Sequence, residues 1–504
     1  PRVILVLVDT LRPDHLGVYG YERDTSPALD RWARDATVFT QARSPSPWTL
    51  PSGRALLGAD AIHRFEPADT VPVHLDAAGW HTVSLVANPN LSAGVGFGAG
   101  WDVASLHDGA PAAEQVARAV SALEAAPADT PVFVFLHLMD PHLPYDEPAR
   151  LRRRWAGEAP TARLADGFTE AALRGDVLHR PLSAAETQHL VDRYDQNVRA
   201  VDDAFATLLD AVRPTDTVIF TADHGEALGE HGLVGHGVGL TEDQVRIPLV
   251  IGGPGWETGR VHGTVGLADV GATVLTLAGL PERSGSGRFL GGAAVSWPQP
   301  LSHTLYGPAR FGVVDGTKKW TSTGEVVEHV GLLHGPDESS PRRGPFEGAQ
   351  RRQWMTASGS ILRPVWIARL GPEQAGASQH APTDARQVDL THPGDVGTAW
   401  APPAPLRKAA PLKVEIDDGV RWTVDAPGVM PRTIYFEAPA DPPPLVHVTR
   451  AGVTRSIAVT RGMAPPPEPH LPIEVPGALE ALGYVEPAAV PVPPAEAPAA
   501  PAPD

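Results

Sequence analysis

Thr49 stands in the run Pro47-Trp48-Thr49-Leu50-Pro51-Ser52-Gly53-Arg54, where a hydroxyl meets the predicted start of a helix. Pro51 is tolerated in a first helical turn because its missing N–H costs nothing there, and Ala55-Leu56-Leu57 carries the helix on. The positive end of a helix dipole lowers the energy of an alkoxide and of an anionic ester, which suits a nucleophile. The plainer reading of the same run is a helix cap. Asp9-Thr10 and Thr221-Ala222-Asp223-His224-Gly225-Glu226 add carboxylates at Asp9 and Asp223 and an imidazole at His224. An oxygen-rich set with one nitrogen suits a divalent metal, which would lower the threonine pKa and neutralise the oxygens of an ester. Taken singly, Asp9 could cap a turn and Asp223-His224-Gly225 could be a strand-end turn.

These residues have to be brought together by the elements around them. From residue 1 to 285, short apolar runs alternate with helical patterns, the signature of a mostly parallel sheet flanked by crossover helices. Residues 2–8, 81–86, 132–136, 217–220 and 248–251 read as strands, and 111–126, 183–212 and 268–280 as helices. In the longest helix Leu190, Tyr194, Val198, Val201, Phe205, Leu208 and Val212 recur at three and four residues and face the sheet, while Asp192, Asp195 and Asp202 are expected mostly in water. Asp9 follows the first strand and Asp223-His224 the fourth, and open α/β sheets bind ligands at that edge.

Beyond residue 285 the strand-like pieces 310–314, 365–368, 433–436 and 445–449 lie among Pro/Gly-rich loops. They predict a smaller C-terminal subdomain with antiparallel strands over 286–464. Residues 465–504 are expected to end in a disordered Pro/Ala-rich tail.

A chain of 504 residues with 42% hydrophobic composition can bury at least one sizeable core. Its net charge of -18, with no basic stripe, excludes a nucleic-acid backbone as a general partner. The absence of cysteine removes disulfides, thiolate metal sites and cysteine nucleophiles. No apolar run is long enough for a transmembrane segment in this chain. A signal segment or anchor before residue 1, and an exported periplasmic or extracellular location, are expectations.

The motifs together resemble the sulfatase family of the alkaline phosphatase superfamily. Val8-Asp9-Thr10-Leu11-Arg12-Pro13-Asp14 is similar to its opening metal motif, and Thr49-Leu50-Pro51-Ser52 to its nucleophile signature. The run from Phe135 through His137 and His142 to Tyr145 resembles its substrate-histidine segment, and Ala222-Asp223-His224-Gly225-Glu226 its second metal motif. Ala268-Asp269-Val270-Gly271 is also family-like, and the likeness runs to about residue 485. The resemblance implies an alkaline phosphatase-like α/β fold with a smaller C-terminal antiparallel subdomain. It implies one divalent metal ion on Asp9, Asp223, His224 and the Thr49 oxygen, with Thr49 as nucleophile. His142 would contact the sulfate or phosphate, protonating a leaving oxygen or holding a non-bridging one. His236 falls where many relatives place a lysine near the leaving group, and His137, Asn88 and Arg54 would line the substrate, a small anionic ester.

The sequence also departs from that family. Typical sulfatases use a cysteine or serine oxidised to formylglycine, a route threonine cannot follow; a threonine nucleophile fits a covalent phosphothreonine opened by water or by an alcohol. The arginine that closes the signature is Gly53 here, with Arg54 one residue on and so rotated by about 100 degrees around a helix. No lysine precedes Lys318, and Asn88 or Asn90 stands near the first missing one. The imidazole favours zinc or manganese, with calcium the less suited ion. The leading reading is a metal-dependent hydrolase of a sulfate or phosphate ester. The alternatives are a phospho-group transferase with a membrane anchor outside this sequence and a non-catalytic relative that only binds. A glycine-rich run from Gly94 to Gly100 reads as a flexible loop at the substrate entrance rather than a dinucleotide site.

Overall fold

The computed structural model describes residues 1–322 apart from 166–167, 284, 292–294, 303–309 and 317, and beyond them the strand segments between 327 and 464. The C-terminal segment from 465 on lies outside the described residues. The first strand, β1 (Arg2–Val8), is buried along its whole length, as an RVILVLV run covered on both faces should be. After α1 (Pro27–Trp32) and β2 (Thr37–Arg43) comes α2 (Thr49–Gly58), the helix that Thr49 opens. Then follow α3 (Val71–Ala77), β3 (His81–Val86), β4 (Val103–Leu106), α4 (Ala112–Ala125) and β5 (Val132–Leu138). The second half contains α5 (Glu170–His179), α6 (Ala184–Ala211) and β6 (Thr217–Ala222), then the short pair β7 (Ala227–Leu228) and β8 (Val234–Gly235). It closes with α7 (Glu242–Val245), β9 (Leu249–Gly252), β10 (Gly259–Gly266) and α8 (Leu267–Leu277).

Eight strands form one twisted sheet in the order β10-β2-β9-β6-β1-β5-β3-β4. The central four, β6, β1, β5 and β3, are parallel, and the register sets Val8 beside both Leu138 and Ala222. Residues just past these three positions therefore emerge side by side at the carboxyl edge, where Asp9 N–H still bonds the Leu138 carbonyl at 2.9 Å. Strand β9 does not continue the parallel order expected of it: it runs antiparallel to β6 and β2. Residues 223–248 stay at the carboxyl edge without a long crossover helix, so the chain re-enters the sheet from the same side.

The expected face of α6 is buried as read, and its start carries a capping box between Ser183 and Glu186. Two of the three carboxylates expected mostly in water, Asp195 and Asp202, are buried instead. Asp195 is fully buried, bonded to His15 Nδ1, the Tyr21 hydroxyl and Arg23 at 2.6 Å each, and Asp202 accepts from the Ala28 and Leu29 N–H groups at the start of α1. A helix that packs on two sides turns charges inward wherever another segment brings donors to meet them.

Past residue 298, β11 (Gln299–Leu301), β12 (Phe311–Asp315), β13 (Lys318–Ser322), β14 (Val327–Gly331) and β15 (Arg342–Gly344) make an antiparallel sheet in that order. Two further antiparallel sheets are built from strands between Arg363 and Ala464. Among the described residues no helix is long and apolar enough to cross a membrane.

Candidate active site

Four strand ends and one helix start converge at the carboxyl edge. Asp9 follows β1, Asn88 lies two residues beyond β3, His137 is the penultimate residue of β5, and Asp223-His224 follow β6. Thr49 opens α2. All six are completely buried. The N-cap of α2 is Trp48, without a side-chain cap bond, and the Thr49 hydroxyl instead lies 3.3 Å from His224 Nε2 and accepts from Asn88 Nδ2 at 3.4 Å. The helix-cap reading of Thr49 is thereby replaced by one in which its oxygen belongs to the cluster.

His224 is oriented by its neighbour: Nδ1 sits 2.9 Å from the Gly225 carbonyl and donates to it, leaving the Nε2 lone pair toward the carboxylates. That nitrogen is 3.3 Å from Asp223 Oδ2 and 3.5 Å from Asp9 Oδ1. Asp223 Oδ1 accepts from the Thr10 and His224 N–H groups, while Asp9 Oδ2 accepts from Asn88 at 2.8 Å and lies 3.4 Å from His137 Nε2. Two oxygens remain, Asp9 Oδ1 and Asp223 Oδ2, buried and with no hydrogen-bond partner. Together with His224 they place three ligand atoms within 4.8 Å of one another. Buried, unpaired carboxylate oxygens turned toward an imidazole lone pair fit a divalent cation.

The electrostatics agree. Burial pushes the Asp9 carboxyl up, but the imidazoles of His142, His137 and His224 outweigh it and hold Asp9 below the usual carboxylate range. Burial and then the charge of Asp9 push Asp223 well above that range. Two carboxylates in one dry site cannot both stay charged without a cation. Burial brings His224 down to about 4, and also lowers His236, so both rings are neutral near pH 7.

His142 and His236 stand over this floor. The His142 ring meets His236 edge-on at 4.9 Å between centroids, and His236 tilts over His224 at 4.6 Å. His236 Nδ1 is 3.6 Å from Glu226 Oε1, and Glu226 Oε2 accepts from the Tyr145 hydroxyl at 2.8 Å. Tyr145 and Glu226 lie within the sequence motifs, but no local pattern assigns them a role; the alignment of hydroxyl, carboxylate and imidazole exists only where the 145 and 226 segments meet.

Arg54 is buried, with its guanidinium 5.9 Å over the Phe65 ring, one position and about 100 degrees of helix rotation on from Gly53. Gly53 has its own explanation. A Cβ there would stand 2.4 Å from Leu91 Cδ2 and 3.3 Å from Phe97 Cζ. The glycine-rich run is anchored by packing at some positions and open at others: Val95 and Phe97 are buried, Gly98 and Ala99 are exposed, and Gly100, with φ 79°, comes so close to Val73 that a Cβ would lie 2.3 Å from its nitrogen. Restoring arginine by Gly53→Arg is expected to destabilise by about 1–3 kcal/mol or more through overpacking, and to lower turnover by shifting the head of α2. Thermal melting with parallel rate measurements checks this; a variant with wild-type stability and higher activity would contradict it.

Comparisons with known proteins bear on the family and the fold. The family profile described as Sulfatase matches residues 1–280. The uncharacterized sulfatase YidJ of Escherichia coli K12 is 24% identical over 342 residues, spanning 56% of this chain and 68% of that one. The phosphatidylethanolamine transferase Mcr-1 of Escherichia coli is 26% identical over 263 residues, but this chain spans only 45% of its length. Among solved structures, the phosphonate monoester hydrolase SpPMH of Silicibacter pomeroyi superposes with a TM-score of 0.56 at 16% identity, covering 71% of this chain and 94% of that one. BT4656, solved with its substrate D-glucosamine-2-N,6-O-disulfate, does so with a TM-score of 0.53 at 18% identity, covering 66% and 91%. With its family profile covering more than half of the sequence, the chain belongs to the sulfatase family of ester hydrolases.

Proposed function

We propose that this protein cleaves a phosphate ester through a covalent phosphothreonine at Thr49. The observation that carries the reading is the Thr49 hydroxyl at the start of α2, 3.3 Å from His224 Nε2 and beside the Asp9 and Asp223 carboxylates. Asp9, Asp223, His224 and the Thr49 oxygen would hold one divalent cation, zinc or manganese before calcium, which when bound lowers the hydroxyl pKa and offsets the charge of the ester.

The chain's own groups supply the rest. Asn88 donates to the Thr49 oxygen and to Asp9, holding nucleophile and carboxylate in one register. The dipole of α2 favours an anionic group at its N-terminus. Thr49 reacts as its alkoxide, the hydroxyl proton having passed to solvent: as the bond from Thr49 Oγ1 to phosphorus forms, the bond from phosphorus to the leaving oxygen breaks, and protonated His142, with His236 packed on it, donates the proton that oxygen needs. Water then opens the phosphothreonine: its oxygen bonds to phosphorus as the bond to Thr49 Oγ1 breaks, its proton passes to His142, and the Thr49 alkoxide is restored. Phosphorus is favoured over sulfur because a threonine side chain cannot become the aldehyde on which sulfate release by collapse depends.

Metal analysis joined to turnover of an aryl sulfate, a phosphate monoester and a phosphodiester, before and after chelation, tests the reading. Phosphate-ester turnover that disappears with the metal is expected; no bound metal, or turnover indifferent to chelation, would sink it. His142→Ala should lower turnover by roughly a hundredfold, as loss of an acid–base group does, and an unchanged rate would remove His142 from the chemistry.

A second reading, phospho-group transfer to an alcohol, is favoured by the similarity to Mcr-1 and to the phosphoethanolamine transferase EptA of Helicobacter pylori, of which this chain spans 47%. Adding an acceptor alcohol separates the two: transferred product in excess of free phosphate would mark a transferase.

A further inference from the structure

Tyr194 lies in the middle of the apolar face of α6 and is completely buried. Its hydroxyl does not point into that core. It donates to the Thr10 carbonyl at 2.8 Å and accepts from the Arg12 N–H at 2.9 Å, so it spans the turn that follows β1. Thr10 needs such a hold: its φ is 53°, a left-handed backbone that β-branched residues seldom adopt and keep only when their surroundings enforce it. The N–H of the same residue donates to Asp223 Oδ1 at 3.2 Å, and Asp9 directly precedes it. One strained residue therefore joins the two carboxylates, and one phenol fixes that residue's far side.

The phenol is itself held. His15 packs edge-on at 4.9 Å and is pinned by Asp195, while Tyr145 packs edge-on at 5.9 Å from the other segment that reaches the site.

We propose that the Tyr194 hydroxyl is a positioning group for metal binding: by bracing the Thr10 turn in its left-handed conformation, it keeps the Asp9 and Asp223 carboxylates convergent on one cation. The inference rests on reading Asp9, Asp223 and His224 as a metal cluster. It assigns to a helix residue far from the strand ends the kind of supporting role whose loss lowers metal affinity about 10–100-fold.

The test is a titration of chelator-stripped, folded protein with zinc alone, and no substrate, comparing wild type, Tyr194→Phe and Tyr19→Phe. Tyr19 is the matched control, since its hydroxyl donates to the Phe39 and Leu249 carbonyls at 3.1 Å on β2 and β9, away from the Thr10 turn. Tyr194→Phe should weaken zinc binding about tenfold or more while Tyr19→Phe keeps wild-type affinity. Equal affinity in Tyr194→Phe and wild type, or equal losses in both tyrosine variants, would overturn the proposal while leaving the metal reading intact. A wild type that binds no zinc would overturn both. In the Tyr194→Phe background, Thr10→Gly provides a second readout. Glycine takes a positive φ without cost, so part of the lost affinity should return; no recovery would mean that the turn is not what Tyr194 controls.

Discussion

Thr49→Ala should abolish turnover, by roughly ten-thousandfold or more, while the protein stays folded. The size of the loss separates the two roles this residue can play. A capping threonine removed from a helix start costs about 1 kcal/mol of stability and leaves the rate of a distant reaction alone. In α2 the capping position is Trp48, and the Thr49 oxygen is turned to His224 and Asn88, so the stability change should be small and the rate change large. Thr49→Ser keeps the oxygen and should keep most of the activity. The decisive measurements are single-turnover rates and a search for phosphate on residue 49 after rapid acid quench. Turnover by Thr49→Ala within tenfold of wild type would end the nucleophile reading and leave a family member that acts by another route.

Much of this site could be read from the sequence because its residues sit at places where sequence and geometry coincide. Asp9 and Asp223 each follow a largely apolar, fully buried strand, and the ends of adjacent parallel strands have to lie together. What the sequence hid depends on pairs of segments that no local pattern connects. In the sequence Gly53 reads only as a lost arginine; in the fold the space beside it is taken by Leu91 and Phe97, about forty residues later. Asp195 and Asp202 carry the mark of a wetted helix face, and only the arrival of His15, Tyr21, Arg23 and the first turn of α1 makes their burial tolerable. Strands β2 and β10 escaped the reading because neither is a plain apolar run: TVFTQAR ends in polar residues, and GRVHGTVG is exposed along its first half. Tyr194 was legible as core but not as a splint, since a tyrosine in an apolar stripe says nothing of where its hydroxyl goes.

Lysine tells a related story, and its test lies in stability rather than rate. The sequence has no lysine before Lys318, yet Lys319 on β13 is fully buried and bonds Glu242 Oε1 at 3.1 Å. Arg43, at the end of β2, reaches Glu242 Oε2 at 2.6 Å, so one carboxylate at the start of α7 holds two buried cations from distant parts of the chain. Burial alone would raise the Glu242 carboxyl, but Arg43 and Lys319 outweigh it and bring it down to about 2 from 4.5. A depressed carboxylate contributes stability that is fully present above its unfolded value and is lost as pH falls through the folded one, here between about 4.5 and about 2. Glu242→Gln should therefore cost about 3–5 kcal/mol at pH 7, because it removes the negative charge that both buried cations face. It should also flatten the acid limb over that same interval. Lys319→Met should cost less, since the Arg43–Glu242 pair survives and the new side chain is apolar. Denaturant titrations of the three proteins between pH 7 and pH 2 check both the ranking and the sign. If Glu242→Gln were no less stable than Lys319→Met, the carboxylate would not be the centre of the triad, and the join between β13 and the main sheet would have to rest on its other contacts, such as Ser302 N–H to the Pro45 carbonyl and Gly316 N–H to Thr264.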